Sequence, residues 1–96
     1  MGTSLSAYRS LPGFEIVEPG LDDLARGRLT VSALVLTVCR ERLAEVGITV
    51  PPVDEDPVDA LHNALEEEVG DDAHARYNAL LGRMLSFLDG AWRIRA

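Results

Sequence analysis

Several residue types are scarce in this sequence of 96 residues, and their scarcity limits what the protein can be. Cys39 is the only cysteine, which excludes an internal disulfide and a zinc site built on several cysteines. The longest apolar run, residues 33–39 with Thr37 inside it, is far too short to cross a bilayer. The first residues also lack a basic segment followed by an apolar one. These features predict a protein that is not inserted in a membrane and that resides in the cytoplasm.

Basic residues are outnumbered, and lysine is absent. Sixteen acidic residues against nine basic ones, all of them arginine, give a formal net charge of −7. A field of this sign repels phosphate backbones and anionic lipid surfaces. The charge therefore predicts no nucleic-acid partner and no membrane partner, and it favours a basic protein as a partner.

Motifs that carry a known catalytic mechanism are also missing. The sequence contains no phosphate-binding glycine loop, no nucleophile elbow and no H-E-x-x-H metal motif. The start of a DNA-recognition helix needs polar side chains to contact base edges, and residues 31–35 are mostly apolar. The sequence thus favours a non-enzymatic protein over an enzyme.

The N-terminal part predicts an extended arm over residues 1–18. Within it, residues 14–17 alternate between apolar and polar side chains, as a short strand does. A short helix is expected after Pro19 and Gly20, and Gly27 is expected to end it. Residues 19–96 are then expected to form a single helical domain.

Three longer helices are predicted after this point. Thr30 is a good N-cap for a helix over residues 31–46, and Gly47 is a suitable terminator. The next helix is expected to begin at Asp56-Pro57 and to end at Gly70. The last helix is expected to be capped by Asp71 or Asp72 and to end near Gly90. The predicted fold is all-α, a small four-helix bundle-like domain with an extended N-terminal arm. The alternative is an α+β fold, with one or two short strands from the arm and from the alternating tail, residues 91–96.

The helix over residues 31–46 has apolar side chains around almost its whole circumference. Such a helix must be covered on nearly every side, but the first predicted helix is short and the last two also pack on each other. We therefore expect a homo-oligomer, a two-fold dimer by preference. The alternative is that the N-terminal arm, with Leu11, Phe14 and Ile16, covers this face and completes a monomeric core. The expected oligomer interface consists of Leu36, Val35 and Ala33.

A dense acidic cluster lies between residues 54 and 72, which contain nine acidic residues and no arginine. Three of these carboxylates are at the negative end of a helix, where cations are preferred. Such an uncompensated cluster predicts a binding surface for a basic partner, with Arg76 as an internal alternative. The expected partner-binding residues are Glu66, Glu67, Glu68, Asp71 and Asp72.

A metal site is the main competing interpretation. Asp59, His62 and Glu66 are spaced so that they share one helix face, and His74 follows the next turn. Carboxylates and imidazoles can bind a divalent metal; no other cofactor is predicted. The leading hypothesis is a non-enzymatic protein–protein interaction module that self-associates and presents an acidic face. The alternative is a small metal-binding or acid/base enzyme, or an accessory subunit of one, that uses these four residues.

Overall fold

Helices account for most of the chain between residues 5 and 95, which are the residues that this computed structural model describes. A short 3₁₀ turn, Leu5–Tyr8, comes first. The α-helices are α1 (Phe14–Ala25), α2 (Val31–Val38), α3 (Arg40–Glu45), α4 (Pro57–Val69) and α5 (Ala73–Arg95), with a second 3₁₀ turn at Gly70–Asp72. No β-strand occurs among residues 5–95. The all-α class is therefore confirmed for this part of the chain, and the α+β alternative is wrong there.

The first helix begins earlier than the pattern predicts, so the expected extended conformation of residues 14–17 is wrong. Phe14, Ile16 and Val17 are buried in the core. Burial of side chains of this size contributes about 1.5–3 kcal/mol each. That gain exceeds the roughly 3 kcal/mol that a proline costs inside a helix, which explains why α1 continues through Pro19. Residues 1–4 of the predicted arm and residue 96 of the predicted tail lie outside the described residues.

The predicted helix over residues 31–46 is divided at Cys39, which ends α2 and precedes α3. Just before the bend, the Thr37 hydroxyl donates to the Leu34 carbonyl oxygen at 2.8 Å. A threonine that bonds back to the preceding turn tends to bend a helix. We therefore treat α2 and α3 as one bent helix.

The predicted end of the last helix near Gly90 is also wrong, because α5 continues to Arg95. Gly90 has a packing role within the helix. A Cβ at this position would lie 2.7 Å from a methyl carbon of Leu11, so the glycine allows the N-terminal segment to contact α5 closely.

The predicted start signals at Thr30 and Asp56 and the other glycine stop signals are confirmed. The Thr30 side chain accepts a hydrogen bond from the Ala33 amide, and the Asp56 side chain accepts from the amides of Val58 and Asp59. The helix-terminating glycines adopt positive φ values, as this role requires: Gly27, Gly47 and Gly70.

The helices share one hydrophobic core. Helix α1 packs on α2, α2 packs on α4, and α4 folds back on α5. The connector after α3 contributes Ile48 and Val50 to the core, with the exposed Thr49 between them. None of the helices within residues 5–95 has the length and apolar character needed to cross a membrane.

Candidate functional site

An open groove lined by apolar and charged side chains runs between α5 and the bent helix formed by α2 and α3; we call it the α3–α5 groove. It consists of two adjoining cavities of about 550 and 650 Å³. Both cavities are lined by Leu85 and Leu88 of α5 and by Glu41 and Arg42 of α3. The residues that close the first cavity on the side of α4 are Pro52, Val53 and Pro57.

Helix α5 contributes an apolar stripe to this groove. Leu81, Leu85, Leu88 and Trp92 recur at spacings of four, three and four, which places them on one helix face. Leu85 is 54% exposed and Trp92 is 58% exposed, although both are large apolar side chains. A neighbouring face of α5 carries the buried residues Met84, Phe87 and Ala91. Leu88, between the two exposed residues of the stripe, is itself buried in the core. Helix α5 thus uses most of its apolar surface for the core and leaves Leu85 and Trp92 accessible.

The bend between α2 and α3 brings Cys39 to the opposite wall of the groove. Burial raises the pKa of the Cys39 thiol, and the positive charge of Arg42 opposes that effect only in part. The thiol is therefore protonated near neutral pH, where it is a weak nucleophile. In this state Cys39 adds a small apolar surface to the wall rather than a reactive group.

The charged side chains at the rim differ between the two ends of the groove. Arg40 lines the first cavity, of about 550 Å³, at the Leu81 end of the groove. Glu45 and Asp89 line the other cavity, beside Trp92. One end is therefore more basic and the other more acidic.

These rim charges are held by local contacts. The Arg40 Nε donates to the Val50 carbonyl oxygen at 2.8 Å, which fixes the stem of this side chain against the connector. Asp89 pairs with Arg93 one turn later, with an N–O distance of 3.3 Å. The Glu45 side chain is exposed and forms no hydrogen bond or ion pair with another residue between positions 5 and 95.

The predicted partner-binding carboxylates are all on the surface, but away from this groove. Glu66, Glu67 and Glu68 are exposed at the end of α4, and Asp71 and Asp72 are exposed in the following 3₁₀ turn. Within residues 5–95, none of their side chains forms an ion pair, so the expected internal contact with Arg76 is not formed. Their contact with a basic partner stays a prediction.

The predicted oligomer interface is buried inside the single chain. Ala33, Val35 and Leu36 are each 0% exposed, so none of them offers surface to a second copy and the expected exposed patch is absent. The reason is the length of α1: it reaches α2 at Gly20, where a Cβ would lie only 2.7 Å from a Leu36 methyl carbon. Helix α1 therefore covers the face that we expected to remain open.

The four candidate metal ligands do not form a site. Among residues 5–95, no group of three or more acidic, histidine or cysteine side chains is arranged to hold a metal ion. The His62 ring stacks on Tyr77 of α5, with ring centroids 4.2 Å apart, and the His74 Nε2 is 3.4 Å from the Asn78 side-chain nitrogen. Asp59 and Glu66 remain exposed. Helical spacing gave these residues a common face but no convergent geometry.

The groove itself was not predicted from the sequence. Periodicity indicated the stripe with Leu81, Leu85 and Leu88, but the extension to Trp92 depends on the helix continuing beyond Gly90. The chain matches no protein-family model, no curated protein and no solved structure.

Proposed function

We propose that this protein is a non-enzymatic protein–protein interaction module whose main binding surface is the α3–α5 groove. The observation that carries the proposal is the exposure of Leu85 and Trp92, 54% and 58%, beside two open cavities, the first of which is mostly apolar. Their helix belongs to a bundle-like scaffold that presents them in a fixed arrangement.

The energetics of these side chains support a binding role. Complete burial of a large apolar side chain contributes about 1.5–3 kcal/mol, and tryptophan is enriched among the residues that dominate binding energy at interfaces. Anchors at spacings of three and four along one helix are also typical of helix-in-groove recognition. Two such anchors on one rigid helix are therefore a reasonable basis for specific binding.

The acidic cluster supplies a second surface in this proposal. Glu66, Glu67 and Glu68 have no cation of their own among the described residues, and the whole chain has a formal charge of −7. A basic protein surface would compensate them, whereas nucleic acid and anionic membranes would be repelled. The proposal includes a cytoplasmic location, which the single cysteine favours.

No specific observation favours the enzymatic alternative over this one. The metal-ligand candidates are dispersed, and the groove contains a protonated thiol with no histidine among its lining residues. A nucleophilic cysteine needs an adjacent base or a lowered pKa. The lining of the groove supplies neither.

The test compares two matched substitutions at exposed leucines. Leu85→Glu introduces a charge into the groove, and Leu29→Glu introduces the same charge at a residue that is 45% exposed in the loop between α1 and α2. Each purified variant is used to capture proteins from a lysate of the source organism, with quantitative mass spectrometry and circular dichroism as a check of folding.

We expect at least one binding protein, a second copy of the chain included, to be retained by the wild type and by Leu29→Glu and lost with Leu85→Glu. If no bound protein depends on Leu85, the groove is not the binding surface and the proposal is wrong. A parallel variant with Glu66, Glu67 and Glu68 changed to Gln shows whether the acidic cluster adds to the same contact.

A further inference from the structure

We infer that the occupant of the α3–α5 groove is a second copy of the chain, docked about a two-fold axis so that Trp92 of each copy enters the groove of the other beside Leu81 and Leu85. The inference rests on the proposed function, because it names the partner of the same groove. It assigns the expected self-association to a surface different from the buried residues of α2.

The shape of the groove fits a two-fold contact. In such a contact the same surface patch is used twice, so each protruding side chain needs a matching recess on that patch. Trp92 is the protruding side chain, and the cavity of about 550 Å³ beside Leu85 is the recess. A two-fold axis near Leu88 sets the two α5 helices antiparallel and pairs Leu85 with Trp92 of the second copy.

The charge at the rim also fits a second copy. The Arg40 end of the groove is relatively basic, and the end with Glu45 and Asp89 is acidic. An antiparallel two-fold contact brings the basic end of each copy toward the acidic end of the other, so that Arg40 meets Glu45 of the second copy. A uniformly basic helix would meet Arg40 at one end of the groove and be repelled there.

The net charge of −7 on each copy opposes association at long range. At physiological salt, however, the Debye length is only about 8 Å, so repulsion between distant charges is largely screened. The contacts at the groove are shorter than this length and persist. We therefore expect a dimer at about 0.15 M salt and weaker association at very low salt.

The experiment measures molar mass by sedimentation equilibrium over a hundredfold concentration range and follows Trp92 fluorescence over the same range. Trp92 is the only tryptophan, so its emission reports directly on burial of this side chain. We expect a transition to twice the chain mass, with a blue shift of the emission at the same midpoint. Leu85→Glu and Trp92→Ala should each raise the dissociation constant by about a hundredfold or more, whereas the control Leu29→Glu should leave it unchanged.

A charge exchange tests the orientation of the two copies. Arg40→Glu and Glu45→Arg should each weaken the homodimer by about tenfold, because each substitution creates two like-charge contacts. An equimolar mixture of the two variants should recover association, since both contacts in the mixed dimer again join opposite charges. If Arg40→Glu fails to fold, Glu45→Arg mixed with the wild type decides the question: the mixed dimer should be intermediate between the two homodimers.

Three results would overturn the inference. The first is a molar mass that stays at that of a single chain at protein concentrations up to about 1 mM. If another protein is then still captured through Leu85, the proposed function stands and only the identity of the occupant is wrong. A dimer that tolerates Leu85→Glu and Trp92→Ala uses another surface. A mixture of the charge variants that does not recover association, or a mixed dimer as strong as the wild type, excludes the antiparallel contact.

Discussion

The Tyr8 hydroxyl donates a buried hydrogen bond to the carbonyl oxygen of Val46, at 2.8 Å and across 38 positions of the chain. The same ring packs edge-on against Phe87 of α5, with ring centroids 5.7 Å apart. Tyr8 thus connects the N-terminal 3₁₀ turn with the end of α3 and with α5. These are the two helices that form the walls of the α3–α5 groove.

Tyr8→Phe removes this hydrogen bond and leaves the ring in place. The buried Val46 carbonyl then lacks its hydroxyl partner, which typically costs about 1–3 kcal/mol. We expect the free energy of unfolding, measured by urea denaturation, to fall by that amount. Tyr77→Phe is the matched control, because the Tyr77 hydroxyl forms no hydrogen bond with any other residue in the range 5–95; equal effects of the two substitutions would contradict the prediction.

Gly20→Ala and Gly82→Ala are expected to change stability in opposite directions. Alanine is favoured over glycine in a helix by about 1 kcal/mol, but a Cβ at Gly20 would lie 2.9 Å from the backbone oxygen of Ser32. A Cβ at Gly82 meets nothing within 4 Å. Gly20→Ala should therefore lower the melting temperature and Gly82→Ala should raise it. A stabilising Gly20→Ala would show that α1 and α2 are not so close.

The ion pair between Glu15 and Arg83 gives stability that depends on pH. The Arg83 Nη2 and Nε donate to the two Glu15 carboxylate oxygens at 2.8 and 3.1 Å, and this hydrogen bonding lowers the pKa of Glu15. The pKa of Glu15 in the folded state therefore lies below its unfolded value, which is about 4.3 for a free glutamate. The ion pair accordingly stabilises the fold fully at pH values above the unfolded pKa. The contribution disappears as the pH falls through the lowered pKa of the folded state.

Glu15→Gln should therefore reduce stability at about pH 7 and have a smaller effect at about pH 2, because low pH shifts the native carboxylate toward its protonated form. Urea denaturation at the two pH values measures the difference. Glu18→Gln, on the same helix and without an ion pair to any described residue, is the control. A Glu15→Gln effect that is the same at both pH values would mean that the charge of Glu15 is not involved.

Local signals predicted most helix boundaries, whereas contacts distant in sequence decided the features that were missed. Capping by Thr30 and Asp56 depends only on residues within one turn, so it can be predicted from the sequence. The helical state of Phe14 depends instead on burial against the rest of the core. If Pro19 is not taken to interrupt the helix, Phe14, Val17, Leu21 and Leu24 have helical spacing. The sequence therefore does contain a signal for the helical state of Phe14.

The groove could be predicted only in part for a similar reason. Periodicity identifies Met84 and Leu85 as members of one broad apolar arc on the last helix. It cannot tell which of these neighbours faces the core, because that depends on how α4 and the N-terminal segment pack on α5. The same limit applies to Leu36, which is buried only because α1 extends far enough to cover it.

Alkylation of Cys39 should be slow near neutral pH and should increase only at alkaline pH. Burial raises the pKa of this thiol, and Arg42 opposes the rise. The rate of reaction with iodoacetamide should therefore have its midpoint above about pH 8.5, the usual value for a free cysteine. Arg42→Gln should move the midpoint further upward in the folded protein and have no effect in urea. A downward shift would show that Arg42 does not act on this thiol.

Truncations at two leucines separate the core from the proposed interface. Leu36 is 0% exposed and Leu85 is 54% exposed, yet the sequence alone made Leu36 the interface residue. Leu36→Ala should lower the free energy of unfolding by about 2–5 kcal/mol, because it leaves a cavity between α1 and α2. Leu85→Ala should change the stability of the dilute monomer by no more than about 0.5 kcal/mol and weaken association instead.

Urea denaturation at low protein concentration and sedimentation at higher concentration measure these two effects separately. Low concentration matters because dimerisation stabilises the folded chain by mass action and would add to the apparent stability. If Leu36→Ala weakens association while the monomer remains as stable as the wild type, Leu36 is exposed in solution and α1 does not cover it. If Leu85→Ala destabilises the dilute monomer as strongly as Leu36→Ala does, Leu85 belongs to the core and the groove is closed in solution. If Leu36→Ala lowers only the stability of the monomer and Leu85→Ala weakens only association, the core and the binding surface of the chain are distinct.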